Sequence, residues 1–143
     1  MKIILLSEDA IRLEPTDGPL TITAVAAEQS YSPFHMLASA LGTCTLSVIH
    51  AWATSAGLNA DDLALEVHWT FSDDPHRVES MHVTVDWPSL PAKRHEAAQH
   101  VAQLCTVHAT LHHPPKITIA VTESAPHEAA AVGAGTASEP ATH

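Results

Sequence analysis

The sequence predicts a mixed α+β fold in which one long, buried helix packs against antiparallel strands, with the element order βββαββααβ. Three patterns predict it. Short apolar stretches separated by turn residues open the chain, a helical stretch runs from residue 33 to 56 without a break, and two long segments of alternating polarity follow. A length of 143 residues fits one domain, which we place at residues 1–123.

The first three strands are predicted at residues 2–6, 10–13 and 20–25, where aliphatic and β-branched residues predominate. A turn sequence, Pro-Thr-Asp-Gly-Pro at residues 15–19, separates the second strand from the third. We expect these strands to form a small antiparallel sheet.

The central helix begins where Ser32 can cap free backbone amides and Pro33 suits the first turn, and it ends before Gly57. Small and apolar residues occupy both sides of it, which predicts burial all round. One face carries Leu37, Leu41, Cys44, Val48 and Ala51. Hydroxyl and imidazole side chains interrupt every apolar window long enough to span a bilayer, so we do not expect a membrane helix.

A hairpin of two long strands follows the helix. On the outgoing strand the apolar residues at every second position are Leu63, Leu65, Val67, Trp69 and Phe71. Residues 72–76 form the turn, and on the returning strand the corresponding positions hold Met81, Val83, Val85 and Trp87. One face of this hairpin is therefore expected to join the core while the other faces water.

Prolines at positions 88 and 91 end the hairpin and open a second helix. Its apolar positions, at helical spacing, are Ala97, Val101, Leu104 and Cys105, which places Cys105 on a buried face. Prolines 114 and 115 close this region, and alternating apolar residues at 117, 119 and 121 predict a final strand. Residues 124–143 are a low-complexity tail that we expect to be disordered.

Composition excludes several classes of function. Six Lys and Arg against 16 Asp and Glu give a formal charge of -10, so nucleic acid and anionic membrane surfaces are not expected partners. Two cysteines and no apparent export signal favour the cytoplasm. No Gly-rich phosphate loop, Ser/His/Asp arrangement or paired-carboxylate motif stands out, and we expect no cofactor.

The cysteines are the remaining candidates for chemistry. Cys44 lies about three turns inside the central helix, too far from its start to benefit from the helix dipole. Activation of its thiol would therefore depend on tertiary neighbours. Residue by residue, a buried and unreactive thiol is the commoner state for Cys44 and Cys105 alike.

Two motifs around the cysteines resemble those of the OsmC/Ohr family (osmotically inducible protein C and organic hydroperoxide resistance proteins). The first, residues 32–44, reads SPFHMLASALGTC, and the second, residues 105–111, reads CTVHATL where Cys-Pro-Val is commoner in the family. The resemblance extends over residues 31–122 and points to a short, divergent branch. It implies an α+β fold with a central helix on antiparallel sheets, and an intertwined homodimer.

The resemblance also implies a reaction. Cys44 would attack an organic hydroperoxide or hydrogen peroxide, and Cys105 would resolve the resulting sulfenic acid to a disulfide. A small-molecule or protein dithiol would then reduce the pair.

Active members of the family hold the thiolate with an arginine and with a glutamate that follows the motif proline. Here Phe34 stands in place of that glutamate, Arg12 is the candidate arginine, and Glu28 is a candidate substitute carboxylate. His35 or His50 is a candidate proton donor near Cys44. The candidate apolar lining for the substrate consists of Phe34, Met36, Leu37 and Leu41.

Two alternatives remain open at this stage. The spacing of Cys105, His108 and His112 would suit a metal site, with His35, His50 or Cys44 as a fourth ligand. Alternatively, the fold is kept while peroxidase activity is weakened or lost, which leaves a dimer that binds a small apolar molecule.

Overall fold

The computed structural model describes residues 1–121, and the predicted tail at 124–143 lies outside them. The five strands are β1 (Lys2–Ser7), β2 (Ala10–Glu14), β3 (Thr21–Ala24), β4 (Ala64–Asp73) and β5 (His76–Asp86). They form one sheet in the order β3-β1-β2-β4-β5. The helices are α1 (Pro33–Ser55), α2 (His95–Ala102) and α3 (Thr106–His112), with a 3-10 turn at Ala92–Arg94 before α2.

The predicted positions of the first three strands are confirmed, but the all-antiparallel arrangement is wrong for β3. That strand pairs in parallel with β1, whereas β1–β2, β2–β4 and β4–β5 are antiparallel. The chain leaves β2 on one side of β1 and crosses to its other edge, where Thr21 donates a backbone hydrogen bond to Met1. Because it re-enters beside the start of β1, β3 runs in the same direction.

Helix α1 spans the predicted residues, since Ser32 caps it, Pro33 occupies its first turn and Gly57 adopts a φ of 65° just beyond its end. By length and composition α1 is also long and apolar enough to cross a membrane. One face of it, however, packs on β2 and β4 in the core of the domain. Gly42 permits this close approach, because a Cβ there would lie 2.6 Å from Leu13 Cδ1.

The hairpin is confirmed as β4 and β5. The inward residues of β4 are buried, whereas the inward residues of β5 are only partly buried: Val78, Met81, Val83 and Val85. Within the described residues, the inward face of the edge strand β5 therefore retains accessible apolar surface.

The region after the hairpin holds two helices, as in the predicted element order, but they interrupt the apolar spacing that predicts one buried face from Ala97 to Cys105. Helix α2 ends at Ala102, a turn follows, and Cys105 is the N-cap residue of the separate helix α3. Cys105 is buried, as predicted, but Leu104 is 64% exposed because the turn directs it away from the core. The apolar spacing continues across the turn between α2 and α3, so the pattern predicts a buried side chain at Leu104 where the structure has an exposed one.

The predicted final strand is wrong for the chain as described. Residues 114–121 have no strand pairing within the described part of the chain, and the side chains of Ile117, Ile119 and Val121 are 80%, 91% and 95% exposed. A strand needs a hydrogen-bonded neighbour, and residues 1–121 of one chain place none beside this segment.

Candidate functional site

The candidate site is the contact between α1 and the N-cap of α3, where the two cysteines meet. Both are free thiols; Cys44 is partly exposed and Cys105 is 0% exposed. The two thiols are close enough for each to shift the pKa of the other. Packing of α3 against α1 thus brings together two residues that are far apart in the sequence.

Cys44 lies among hydrogen-bond donors. Burial raises the pKa of its thiol, but four hydrogen bonds outweigh burial and the net pKa is lowered. Their donors are the Cys105 thiol, the backbone amides of Thr106 and Val107, and the Thr106 hydroxyl. The Thr106 Oγ1 atom lies 3.8 Å from Cys44 Sγ. Cys44 is therefore an accessible thiol that favours its ionised form.

Cys105 has the opposite character. Burial is the largest cause that raises its pKa, and the neighbouring Cys44 raises it further. Two weaker contributions act in the other direction, from the His108 backbone amide, 3.4 Å from the sulfur, and from the Thr45 side chain. The Leu41 carbonyl lies 4.0 Å from the thiol as an acceptor. Cys105 is consequently a buried thiol that keeps its proton.

Arg12 is not brought to Cys44. It lies in β2 between Ile11 and Leu13, both fully buried, so its side chain points to the opposite face of the sheet from α1. There its guanidinium binds three carboxylates, those of Glu14, Glu66 and Asp86. The structure gives it a role in holding β2, β4 and β5 together.

His35 is also placed away from the thiols. It is 2% exposed, its Nε2–H donates to the Ser7 carbonyl at 2.9 Å, and its Nδ1 accepts from the Ser32 backbone amide at 3.2 Å. Nine residues separate it from Cys44, which corresponds to about 13 Å along the helix. Glu28 is exposed in the loop before α1, and His50 is exposed further along α1.

The four residues expected to line a substrate site separate into two groups. Leu37 and Leu41 line a groove of about 1070 Å³ between β5 and helices α2 and α3, whereas the ring of Phe34 packs edge-on against Phe71 and Met36 is exposed. Neither cysteine lines this groove.

The residues of the alternative metal site, Cys105, His108 and His112, do not converge on one point. Among residues 1–121, no group of three or more His, Cys, Asp or Glu side chains is placed to hold a metal ion. The rings of His108 and His112 contact each other edge-on at 4.5 Å, while the Cys105 sulfur is turned inward toward Leu41. The spacing of these three residues is thus compatible with a metal site, but their side-chain directions are not.

The OsmC-like protein family model matches residues 26–120, which include α1, both cysteines and the hairpin. This chain belongs to the OsmC-like family. Among proteins of curated function, none shows significant sequence similarity to it.

A solved structure agrees with this assignment. The OsmC-like chain is similar to the crystal structure of a protein proposed to be an osmotic stress induced and detoxification response protein from Psychrobacter arcticus 273-4, with a TM-score of 0.53 and 25% identity. The similarity covers 59% of this chain and 62% of that one, so it spans less than two thirds of either. The predicted α+β fold and family are thereby confirmed.

Sequence reasoning missed two residues of the OsmC-like site, Thr106 and Thr45. Thr106 follows Cys105 directly and supplies two donors to Cys44, and Thr45 follows Cys44 directly and contacts Cys105. Each is therefore adjacent in sequence to one cysteine and adjacent in space to the other. A hydroxyl residue beside each cysteine was the available signal.

Proposed function

We propose that this OsmC-like protein is a thiol peroxidase that reduces organic hydroperoxides, or hydrogen peroxide, through a redox pair formed by Cys44 and Cys105. The observation that carries this proposal is the asymmetry of the contact: an accessible thiol with a lowered pKa touches a buried thiol with a raised pKa. The first property suits a nucleophile, and the second suits a proton-bearing resolving thiol.

The first step is attack by the Cys44 thiolate on the terminal oxygen of the hydroperoxide. A sulfur–oxygen bond forms, the oxygen–oxygen bond breaks, and the alkoxide leaves and takes a proton from water. The products are an alcohol and a sulfenic acid on Cys44. Sulfur is oxidised by two electrons, and the peroxide is reduced by two.

The second step joins the two sulfurs. The Cys105 thiol attacks the sulfenic sulfur, a disulfide forms and water leaves. The mutual effect of the two thiols on their pKa values supports Cys105 as the thiol that attacks this sulfur. An external dithiol then reduces the disulfide, itself becoming oxidised, and restores both thiols.

Turnover of cumene hydroperoxide with dihydrolipoamide as reductant tests the proposal. Cys44→Ser should abolish consumption, and Cys105→Ser should leave a sulfenic acid on Cys44 that dimedone labels. Ala40→Ser is the matched control, since it changes an exposed residue one turn earlier on α1. Consumption by Cys44→Ser at the parent rate would refute the assignment.

We further propose that the active form is a cytoplasmic homodimer. The support is the segment that holds Ile117, Ile119 and Val121, whose alternating apolar side chains are almost fully exposed in one chain. Pairing with a strand of a second copy would bury them. Sedimentation should show a dimer for the parent and for Thr118→Asp, but a monomer for Ile119→Asp; a monomeric parent would contradict this proposal.

A second candidate function is the binding of an apolar molecule without chemistry. The observation that favours it is the groove, which neither cysteine lines and whose wall includes the apolar side chains of Leu37, Met81 and Trp87. A brominated fatty acid should then quench Trp87 fluorescence, and Trp87→Phe should remove that quenching. Quenching that is identical in both proteins would exclude this groove as the binding site.

A further inference from the structure

Thr106 contacts the Cys44 sulfur through its side chain. Its Oγ1 atom lies 3.8 Å from Cys44 Sγ, and its hydroxyl and its backbone amide are both among the groups that lower the pKa of that thiol. One residue thus contributes two of the groups that favour the Cys44 thiolate. Such donors favour a negative charge on the atom that they approach.

The donors at Cys44 are neutral groups. Arg12 lies on the far face of the sheet and is bound by carboxylates, and Phe34, which follows the motif proline, packs against Phe71. Among the described residues, Cys105 is the titratable group in contact with Cys44, and its thiol is a donor to it. Stabilisation of the anion therefore depends on hydrogen bonding.

The Thr106 hydroxyl is available for this role. Thr106 is exposed at the start of α3, and its carbonyl is already occupied, because it accepts from Thr110 Oγ1 at 2.8 Å. The hydroxyl carries no second hydrogen bond within the described chain and can follow the sulfur as its charge changes.

We propose that Thr106 is a catalytic residue of this chain, which holds Cys44 as the thiolate through its hydroxyl and its backbone amide together. The proposal rests on the peroxidase function proposed above and adds to it the group that activates the nucleophile. It also explains how a thiol without an adjacent cation stays reactive.

Three substitutions separate the two donors. Thr106→Ser keeps both, Thr106→Val removes the hydroxyl while it keeps the shape, and Thr106→Pro removes both. Proline fits this backbone, because position 106 is the first residue of α3 and Cys105 has a φ of -60° and a ψ of 126°, which a residue before proline adopts. Thr110→Val is the control, since it removes a hydroxyl one turn further along α3.

The experiment measures alkylation of Cys44 by iodoacetamide in the full chain, resolved by peptide mass spectrometry, from pH 5 to 10. Loss of one net hydrogen bond corresponds to roughly three- to tenfold slower alkylation at pH values below the midpoint of Cys44 ionisation. We expect this for Thr106→Val, a larger loss for Thr106→Pro, and parent rates for Thr106→Ser and Thr110→Val. The loss should vanish at high pH, where the thiol is ionised in every variant.

Two results overturn different claims. Parent alkylation profiles in both Thr106→Val and Thr106→Pro, with circular dichroism unchanged, would overturn the role of Thr106 regardless of turnover. Absence of hydroperoxide consumption by the parent, with the alkylation profiles shifted as expected, would overturn the peroxidase function and leave the contact of Thr106 with the thiolate supported.

Discussion

Replacement of Arg12 by Gln should destabilise the fold and leave the reactivity of Cys44 unchanged. The guanidinium joins three strands, with nitrogen–oxygen distances of 3.3 Å to Glu14, 2.9 Å to Glu66 and 2.8 Å to Asp86. Removal of its charge would also leave three carboxylates close together on the outer face of the sheet. The family resemblance instead predicts that Arg12 activates the thiol, so the two roles give opposite results.

The magnitude follows from exposure. The side chain of Arg12 is 25% exposed and its partners are 34% to 44% exposed, so each pair is worth about 0.2–1 kcal/mol rather than the value of a buried pair. Three pairs around one group give a loss of about 1–2 kcal/mol in the free energy of unfolding. For a chain of this size, this corresponds to a decrease of about 5 °C in Tm.

Urea unfolding measures the loss, and iodoacetamide alkylation measures the thiol. The difference in the free energy of unfolding between Arg12→Gln and the parent should shrink in 1 M NaCl, where charges are screened within about 3 Å. Arg77→Gln is the matched control, because this exposed arginine donates only to the backbone of its neighbour Val78 among the described residues. A tenfold fall in Cys44 alkylation in Arg12→Gln, with stability unchanged, would refute the structural role.

Three further predictions follow from the same contacts. Because the pKa of Cys44 is lowered and that of Cys105 is raised, alkylation should increase at Cys44 at lower pH than at Cys105; the reverse order would contradict the assignment of roles. Gly42→Ala should lower the free energy of unfolding in urea by roughly 1 kcal/mol. The clash with Leu13 costs about 1–3 kcal/mol, and the higher helix propensity of alanine offsets about 1 kcal/mol of that cost. An increase in stability would show that Leu13 moves aside freely. His35→Ala should cost roughly 2–4 kcal/mol, because it removes a buried side chain and unpairs two partly buried backbone groups. Cys44 alkylation should be unchanged, whereas a slowed thiol would restore His35 as a proton donor.

Local signals in the sequence predicted most of the fold. The capping residue Ser32, the proline after it and Gly57 delimit α1, since each acts on the backbone within a few residues of itself. The hairpin was predicted because its core positions alternate without interruption. These features depend on neighbours in the sequence and are therefore readable from it.

Non-local geometry accounts for the errors. The direction of β3 depends on which side of β1 the chain returns to, and the break before α3 interrupts an apolar spacing that continues through Leu104. The partners of Arg12 at Glu66 and Asp86 are 54 and 74 residues away. Pairings at such separations leave no periodic pattern in the sequence.

The candidate site was predicted in part for the same reason. The motifs identified both cysteines and their order, but the contact from Cys44 to Thr106 spans 62 residues and depends on how α3 packs against α1. The resemblance directed attention to charged groups, whereas the structure surrounds the thiol with neutral donors. The sequence shows this difference at one position, where Thr106 stands in place of the proline that is commoner in the family.

The most direct test of the central claim is a single turnover without reductant. One equivalent of cumene hydroperoxide should consume both thiols of each chain and link the tryptic peptide spanning residues 13–77 to the one spanning 95–116, which carry Cys44 and Cys105. The link should be absent from both single Cys→Ser variants. Two thiols that stay fully alkylatable after exposure to the hydroperoxide would contradict the redox pair.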